Sequence, residues 1–360
     1  MLKLNGEGMT KNEVVVIGSH VQGMFVRVPR FPVADETILA SDFKEALDGG
    51  KGSHQAIACA KLGLSTHFIG SVGKDRLGEI GASWMANAGV NLEYLKWSDH
   101  VSTGCGLVMV NALGIPAIVT AMGANMELET SDVDRASSLI SKAKLVLITF
   151  EIPIETALYA SVKAKEAGAI TILTPGPALP IPRNAFDHVD LLIPNGGEAQ
   201  TLMGRTPSES LDIKELANEL RAHSGAAQVI VTLGEHGSFV SSEGKGERVP
   251  AFNVKVQDTP GAGDAFAAGV SLGLFHGATL ADAARFGSLT AAYAVSFKES
   301  LPGFGTLMEI LNFAQANGFE VPEALRAQFL SAKNTPHLPE VLSTRGESSD
   351  HRSIEAMGQT

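Results

Sequence analysis

The feature that most limits what this chain can fold into is the regular alternation of helix-type and strand-type segments between residues 131 and 233. Helical periodicity falls on Ser131 to Lys142, Ile154 to Ala167, the surroundings of Glu198, and Leu211 to His223. Short apolar or β-branched runs fall on Leu145 to Phe150, Ala169 to Thr174, Val189 to Ile193 and Val229 to Leu233. Strands that alternate with helices are joined by crossovers, which predicts an α/β fold with a mostly parallel sheet and helices on both of its faces. Ligands of such sheets collect beyond the carboxyl ends of the strands. Phe150-Glu151, Thr174-Pro175-Gly176, Pro194-Asn195 and Thr232-Leu233-Gly234 fall at those ends.

The N-terminal part reads differently. Val14-Val15-Val16-Ile17-Gly18 is a buried-strand run that ends in glycine. Met24 to Ala40 mixes polar and apolar residues with Pro29 and Pro32, and from Gly104 to Thr120 strand patterns flank the turn Asn111-Ala112-Leu113-Gly114. These pieces are expected to pair as a small sheet beside the main body. Ser53 to Leu62 and Leu77 to Ala88 read as helices stopped by Gly63 and Gly89. After Phe275, helical patterns at Leu280 to Phe297, Thr306 to Ala316 and Pro322 to Leu330 close the domain. The stretch 332–360 is polar and unpatterned, and is expected to be disordered or to dock elsewhere.

Charge and composition exclude several classes of function. The 28 Lys and Arg against 39 Asp and Glu give a net charge of −11, which argues against nucleic acid or an anionic membrane as partner. The two cysteines, Cys59 and Cys105, are too few for a disulfide framework, which points to a reducing cytoplasm. Met1 to Glu13 does not read as a signal peptide, and no apolar stretch approaches transmembrane length.

Three glycine-containing motifs carry candidate chemistry. In Asp258-Thr259-Pro260-Gly261-Ala262-Gly263-Asp264-Ala265-Phe266, a carboxylate follows two glycines at the start of an Ala-, Leu- and Phe-rich helix. The free N–H groups and the dipole of a helix's first turn stabilise an anion, and glycine lets a phosphate approach closely. Asp264 in that field can accept a proton from a hydroxyl. Gly49-Gly50-Lys51-Gly52-Ser53-His54-Gln55-Ala56 also leads into a helix, but Glu45 and Gly52 break the Walker A spacing. This cluster can present backbone amides to a hydroxyl-rich ligand. Asn195-Gly196-Gly197-Glu198 puts an amide and a carboxylate on one rim, which by itself favours capping the next helix over holding hydrated magnesium. His20, His54, His67, His223, His236 and His276 show no metal-ligand spacing, and all but His54 are read as ordinary loop or surface residues.

Taken in order, these motifs resemble the ribokinase-like (PfkB) carbohydrate kinases, and within them most closely the ribokinases. The resemblance runs through Val16-Ile17-Gly18-Ser19, Phe31-Pro32 to Glu36-Thr37, Gly49-Gly50-Lys51-Gly52 with Gln55-Ala56 and Leu62-Gly63, and Gly70-Ser71-Val72-Gly73-Lys74-Asp75. It continues through Ser102-Thr103-Gly104, Gly123-Ala124-Asn125, Glu151, Asn195 with Glu198, Thr232-Leu233-Gly234 with Gly237, and Asp258 to Asp264. Each motif is weak alone; their joint order over roughly residues 13 to 330 is specific.

The resemblance implies a three-layer α/β/α sandwich over residues 12–332, a small β-sheet lid inserted from about 20–46 and 101–121, and a tail over 333–360. It implies an ATP-dependent kinase that phosphorylates a primary hydroxyl of a small sugar or sugar-like alcohol. Asp264 would be the base, and Gly261, Ala262 and Gly263 the anion hole. Gly23, Gly49, Gly50, Lys51, His54 and Glu151 would bind the acceptor. Asn195, Thr232, Gly234, Gly237, Gly261 and Gly263 would hold the nucleotide. Asn195 and Glu198 would organise Mg2+, while Asp258, Pro260 and Ala294 would form a monovalent-cation site for K+. A homodimer through the lid is also implied.

Departures from the family pattern cluster on the acceptor side. Val21 and Gly23 stand where ribokinases carry a sugar-binding Asn and Asp, His54 replaces the Asn of the glycine cluster, and Glu299 replaces a usual glycine of the cation loop. Losing a well-placed bidentate acceptor can remove a few kcal/mol of sugar binding, so the resemblance implies an intact phosphoryl-transfer half and a rebuilt acceptor half, with D-ribose not the expected acceptor. A nucleoside kinase and a non-catalytic sugar- or nucleotide-binding regulator on the same fold are the other readings.

Overall fold

Val14, Val15, Val16 and Ile17 are all fully buried, and a strand's period of two decides where each goes. Val14 and Val16 join one apolar core, while Val15 and Ile17 join a second on the opposite face. β1 (Glu13–Ile17) is therefore a central strand covered on both sides. The computed structural model describes residues 11–46, 49–207, 212–243, 245–323 and 325–326. The expected tail and most of the expected helix Pro322 to Leu330 lie outside the described residues.

The main sheet has nine strands among the described residues, in the order β13-β12-β11-β10-β9-β8-β1-β4-β5. Besides β1 it contains β4 (Ser65–Gly73), β5 (Leu95–Ser98), β8 (Ala143–Thr149), β9 (Ile170–Thr174), β10 (Leu191–Leu192) and β11 (Gln228–Thr232), all parallel. An antiparallel hairpin, β12 (Ser238–Ser242) and β13 (Lys245–Val249), extends one edge. One face carries α1 (Lys51–Lys61), α2 (Arg76–Asn87), α8 (Ala262–Phe275), α9 (Leu280–Ala294), the short α10 (Ser300–Gly303) and α11 (Leu307–Ala316). The other carries α3 (Thr130–Arg135), α4 (Ser137–Ile140), α5 (Ile154–Glu166), α6 (Gly196–Leu202) and α7 (Ile213–Ser224). This is the α/β/α sandwich that the alternation predicts.

The small sheet forms as well. β2 (Val21–Arg27) pairs parallel with β6 (Gly104–Val110), and β3 (Asp42–Glu45) and β7 (Pro116–Ala121) flank them antiparallel. β6 and β7 are joined at the expected turn, where the Gly114 N–H donates to the Asn111 carbonyl.

Three expectations change. The single helix Ser131 to Lys142 is two short helices, because the chain leaves helical geometry at Ala136 and Glu129 with Asp132 closes a capping box on the first. The strand Val189 to Ile193 shrinks to two residues, since the Val189 N–H is held in a turn by the Phe186 carbonyl. His20 lies in the loop between β1 and β2 but is not at the surface: it is 1% exposed and edge-on to Trp84.

Candidate active site

The carboxyl ends of the parallel strands and the N-termini of α1 and α8 converge, and Asp264 sits at their meeting point. Gly261 precedes α8 at φ +79, a left-handed turn that glycine adopts without strain, and a Cβ there would strike Ser300 at 2.9 Å. Asp264 occupies the helix's first turn and is 7% exposed. A Cβ on Gly263 would meet nothing within 4 Å, so the space over that turn is open. Backbone donors of the helix's first turn thus lie by open space beside a buried carboxylate, with the Ala262 N–H donating to the Thr259 carbonyl at 3.2 Å.

Both oxygens of Asp264 are held. His54 Nδ1 lies 3.1 Å from Oδ2, and Gln55 Nε2 donates to Oδ1 at 3.0 Å and to Thr174 Oγ1 at 2.9 Å. Glu151, at the end of β8, accepts from the Lys51 N–H at 2.8 Å and from the Ser19 hydroxyl. Burial pushes the Glu151 carboxyl above the usual range, against the opposing pull of Ser19 and Lys51. Burial works equally against the charge of Lys51, but Asp264, Glu151 and Glu198 outweigh it and hold the ammonium above its ordinary value. One half-buried cation therefore feels the charge of three carboxylates. Gly49 and Gly50 let the chain approach closely, since a Cβ on Gly50 would sit 2.6 Å from Ser19 Oγ and one on Gly49 2.6 Å from Ser53 Oγ.

Asn195 and Glu198 cap α6 reciprocally: the Glu198 N–H donates to Asn195 Oδ1 at 2.8 Å and the Asn195 N–H to Glu198 Oε2 at 2.9 Å. The capping alternative thus holds, yet it consumes only one oxygen of Glu198. A Cβ on Gly176 would meet Glu198 Oε1 at 2.6 Å and Lys51 Nζ at 3.0 Å, so the second oxygen faces the Lys51 cluster. Thr232 ends β11 and bridges to Asn195, and Gly234 turns away at φ +57. Gly237 has a structural duty as well, because a Cβ there would clash with the Val249 carbonyl at 2.1 Å. Two cavities flank this turn. One of about 790 Å³ runs past Gly234 and Gly237 to Phe252, Thr259, Ala262 and Val295, and one of about 780 Å³ lies by Asn195, Thr232 and Arg248.

Asp258 faces the loop after α9, where its Oδ2 accepts the Glu299 N–H at 3.3 Å. Pro260 is exposed just before α8, and the Ala294 carbonyl accepts from Phe297 at 3.2 Å. Gly23 lies apart in the small sheet, opposite Gly106, with its carbonyl taken by the Ala46 N–H. Sequence reasoning missed Gln55 as a partner of Asp264, and Thr174, which ends β9, as the residue that holds Gln55. It also missed the apolar wall of the larger cavity, which has no local motif.

Residues 11–301 match the model of the pfkB family carbohydrate kinases. The chain belongs to this family. It is 32% identical to the ribokinase of Staphylococcus aureus over 285 residues, 79% of this chain and 93% of that protein. It is likewise 32% identical to the deoxyribokinase of Salmonella typhi over 255 residues, 71% of this chain and 83% of that one. Its fold is similar to that of Arabidopsis thaliana ribokinase complexed with ribose and ATP, with a TM-score of 0.76 and 30% identity over 84% of this chain and 98% of that one. As a carbohydrate kinase it is a phosphotransferase with an alcohol group as acceptor.

Proposed function

We propose that this chain transfers the γ-phosphate of ATP to a primary hydroxyl of a small sugar or sugar-like alcohol. The observation that carries the reading is Asp264, buried and doubly held beside the open first turn of α8, with Lys51 in the same cluster. Asp264 takes the hydroxyl proton as the acceptor oxygen forms its bond to the γ-phosphorus. The bond from that phosphorus to the β,γ-bridging oxygen breaks, and ADP leaves with the electron pair. Gly261, Ala262 and Gly263 hold the transferring oxygens through backbone N–H groups, and Lys51 neutralises charge that develops there. Gly49, Gly50, Lys51, His54 and Glu151, with Gly23 from the small sheet, bound the acceptor pocket, and Thr232, Gly234 and Gly237 border the nucleotide.

Glu198, through the oxygen that capping leaves over, fits Mg2+, with Asn195 beside it; such an ion keeps most of its waters and neutralises phosphate charge. Asp258 with the carbonyls of Pro260 and Ala294 would hold K+ beside the anion hole. Residues 12–332 form the kinase domain in this reading, with the small sheet as its lid and 333–360 as a tail. The lid exposes Phe43, Leu113, Ile118 and Val119, which fits a second copy of the chain as partner. Free thiols at Cys59 and Cys105 fit the cytoplasm. Among the described residues no helix is long and apolar enough to cross a membrane.

The test is ADP release with Mg2+ and K+ over a panel of pentoses, ketohexoses, tetritols and nucleosides, run beside Asp264→Asn. Turnover on a sugar or polyol, lost at least about a thousandfold in the variant while ATP still binds, is the expected result. Turnover that survives Asp264→Asn overturns the assignment of the base; silence across the panel with ATP bound supports the non-catalytic reading.

A further inference from the structure

His54 stands where the family pattern has an acceptor-binding asparagine, yet its ring nitrogens are committed to the protein. Gly49 N–H donates to Nε2 at 2.7 Å, and Nδ1 lies 3.1 Å from Asp264 Oδ2. A backbone N–H can only donate, so Nε2 carries no proton. The ring is therefore neutral and its proton sits on Nδ1, pointed at a carboxylate oxygen that accepts it. The side chain is 5% exposed, and the ring packs edge-on against Phe304, centroids 5.3 Å apart at 68°, which fixes its plane.

Resting on the reading of Asp264 as base, we infer that His54 is a positioning residue: a neutral imidazole, clamped by the Gly49 amide, that orients Asp264 for proton abstraction rather than gripping the acceptor. Gln55 holds the other oxygen, so two consecutive residues of α1 aim one carboxylate supplied by α8. Each carboxylate oxygen keeps a lone pair for the incoming proton. The chain Gly49, His54, Asp264 also links the acceptor-side glycines directly to the base. The acceptor thereby loses an amide partner, and Asp264 gains a rigid one.

Two substitutions separate this role from packing. His54→Leu keeps apolar volume against Phe304 and removes the donor; His54→Asn loses the packing but places an amide donor near the position of Nδ1. The expected result is a fall in kcat of about 10- to 100-fold for His54→Leu with KM for ATP unchanged, and recovery of most of that loss in His54→Asn. Full kcat in a folded His54→Leu overturns the inference. So does a His54→Asn variant as impaired as His54→Leu, which would mark the ring as filler.

Imidazole 15N NMR of the unmodified protein supplies a readout independent of turnover and of how the variants fold. A neutral ring protonated at Nδ1, whose signals move in Asp264→Asn, is expected. A ring protonated at Nε2 refutes the arrangement. Asp264→Asn assayed alongside keeps the failures apart: activity there defeats the base assignment, whereas a dead Asp264→Asn with a fully active His54→Leu defeats only the role of His54.

Discussion

Lys44 Nζ in the small sheet lies 2.7 Å from Glu299 Oε1 in the loop after α9, a salt bridge that joins two parts of the chain 255 positions apart. Glu299 adopts φ +67, a left-handed backbone that glycine favours. Lys44 also lies over the Phe25 ring at 5.5 Å. The bridge thus ties the small sheet to the loop whose backbone meets Asp258. Both side chains are partly in water, and such pairs contribute at most about 1 kcal/mol. Lys44→Ala should therefore lower the melting temperature by less than about 3 °C. Its effect should appear instead as an acceptor KM raised about two- to fivefold with ATP KM unchanged, read by steady-state kinetics.

Gly263 and Gly52 should respond oppositely to the same change. A Cβ on Gly52 would lie 2.4 Å from the Ser19 amide nitrogen and 2.7 Å from the Gly18 carbonyl carbon, both backbone atoms. Gly52→Ala should cost about 3 kcal/mol or more, or give insoluble protein. Gly263→Ala places its methyl in open space within a helix, and should leave urea stability equal or higher by up to about 1 kcal/mol. It fills the room a phosphate needs, however, and turnover should drop about tenfold or more.

Removing the charge of Lys51 leaves Asp264, Glu151 and Glu198 facing one another. Lys51→Met should reduce kcat about 100-fold and raise ATP KM, measured by ADP release and by nucleotide titration. Unchanged kcat would remove Lys51 from the transfer step.

Asp75 provides a pH test of the fold. It caps α2 through the Gly78 N–H and accepts from both the N–H and the hydroxyl of Thr103, each at 2.8 to 2.9 Å. Burial pushes its carboxyl up, but these donors with the Leu77 N–H prevail and hold it below the ordinary 3.8. A lowered folded value contributes stability that is present above the unfolded value and lost as pH falls through the folded one. Asp75→Ala should cost about 2 kcal/mol in urea unfolding at pH 7, and the gap from the unmodified protein should narrow below pH 3.8.

The sheet and its helices were legible because β1, β8 and β9 are dense apolar runs, β1 and β9 with glycines at their ends, that alternate with helical segments. β4 was not, since His67, Gly70, Ser71 and Gly73 interrupt its apolar pattern although Phe68 and Ile69 anchor both cores. β12 hides behind serines: Ser238 and Ser241 are fully buried, and Ser241 is satisfied by Asn218 at 2.7 Å. Of the site, Asp264 and the glycines could be read because helix-start chemistry is local. The bond between His54 and Asp264 could not, for it depends on how α1 and α8 pack, and no spacing along the chain encodes that.

That packing has a consequence for biosynthesis. Asp264 and the residues that aim it are separated by 209 and 210 positions, and β1, the central strand, pairs with β4 and β8 from two distant stretches. A chain emerging from the ribosome can therefore complete its first parallel pairs early while Asp264 is still unmade. With Asp264 as the proposed base, phosphoryl transfer would begin only after α8 has been released and has docked on α1, and an incomplete nascent chain holding the first glycine cluster would lack that base.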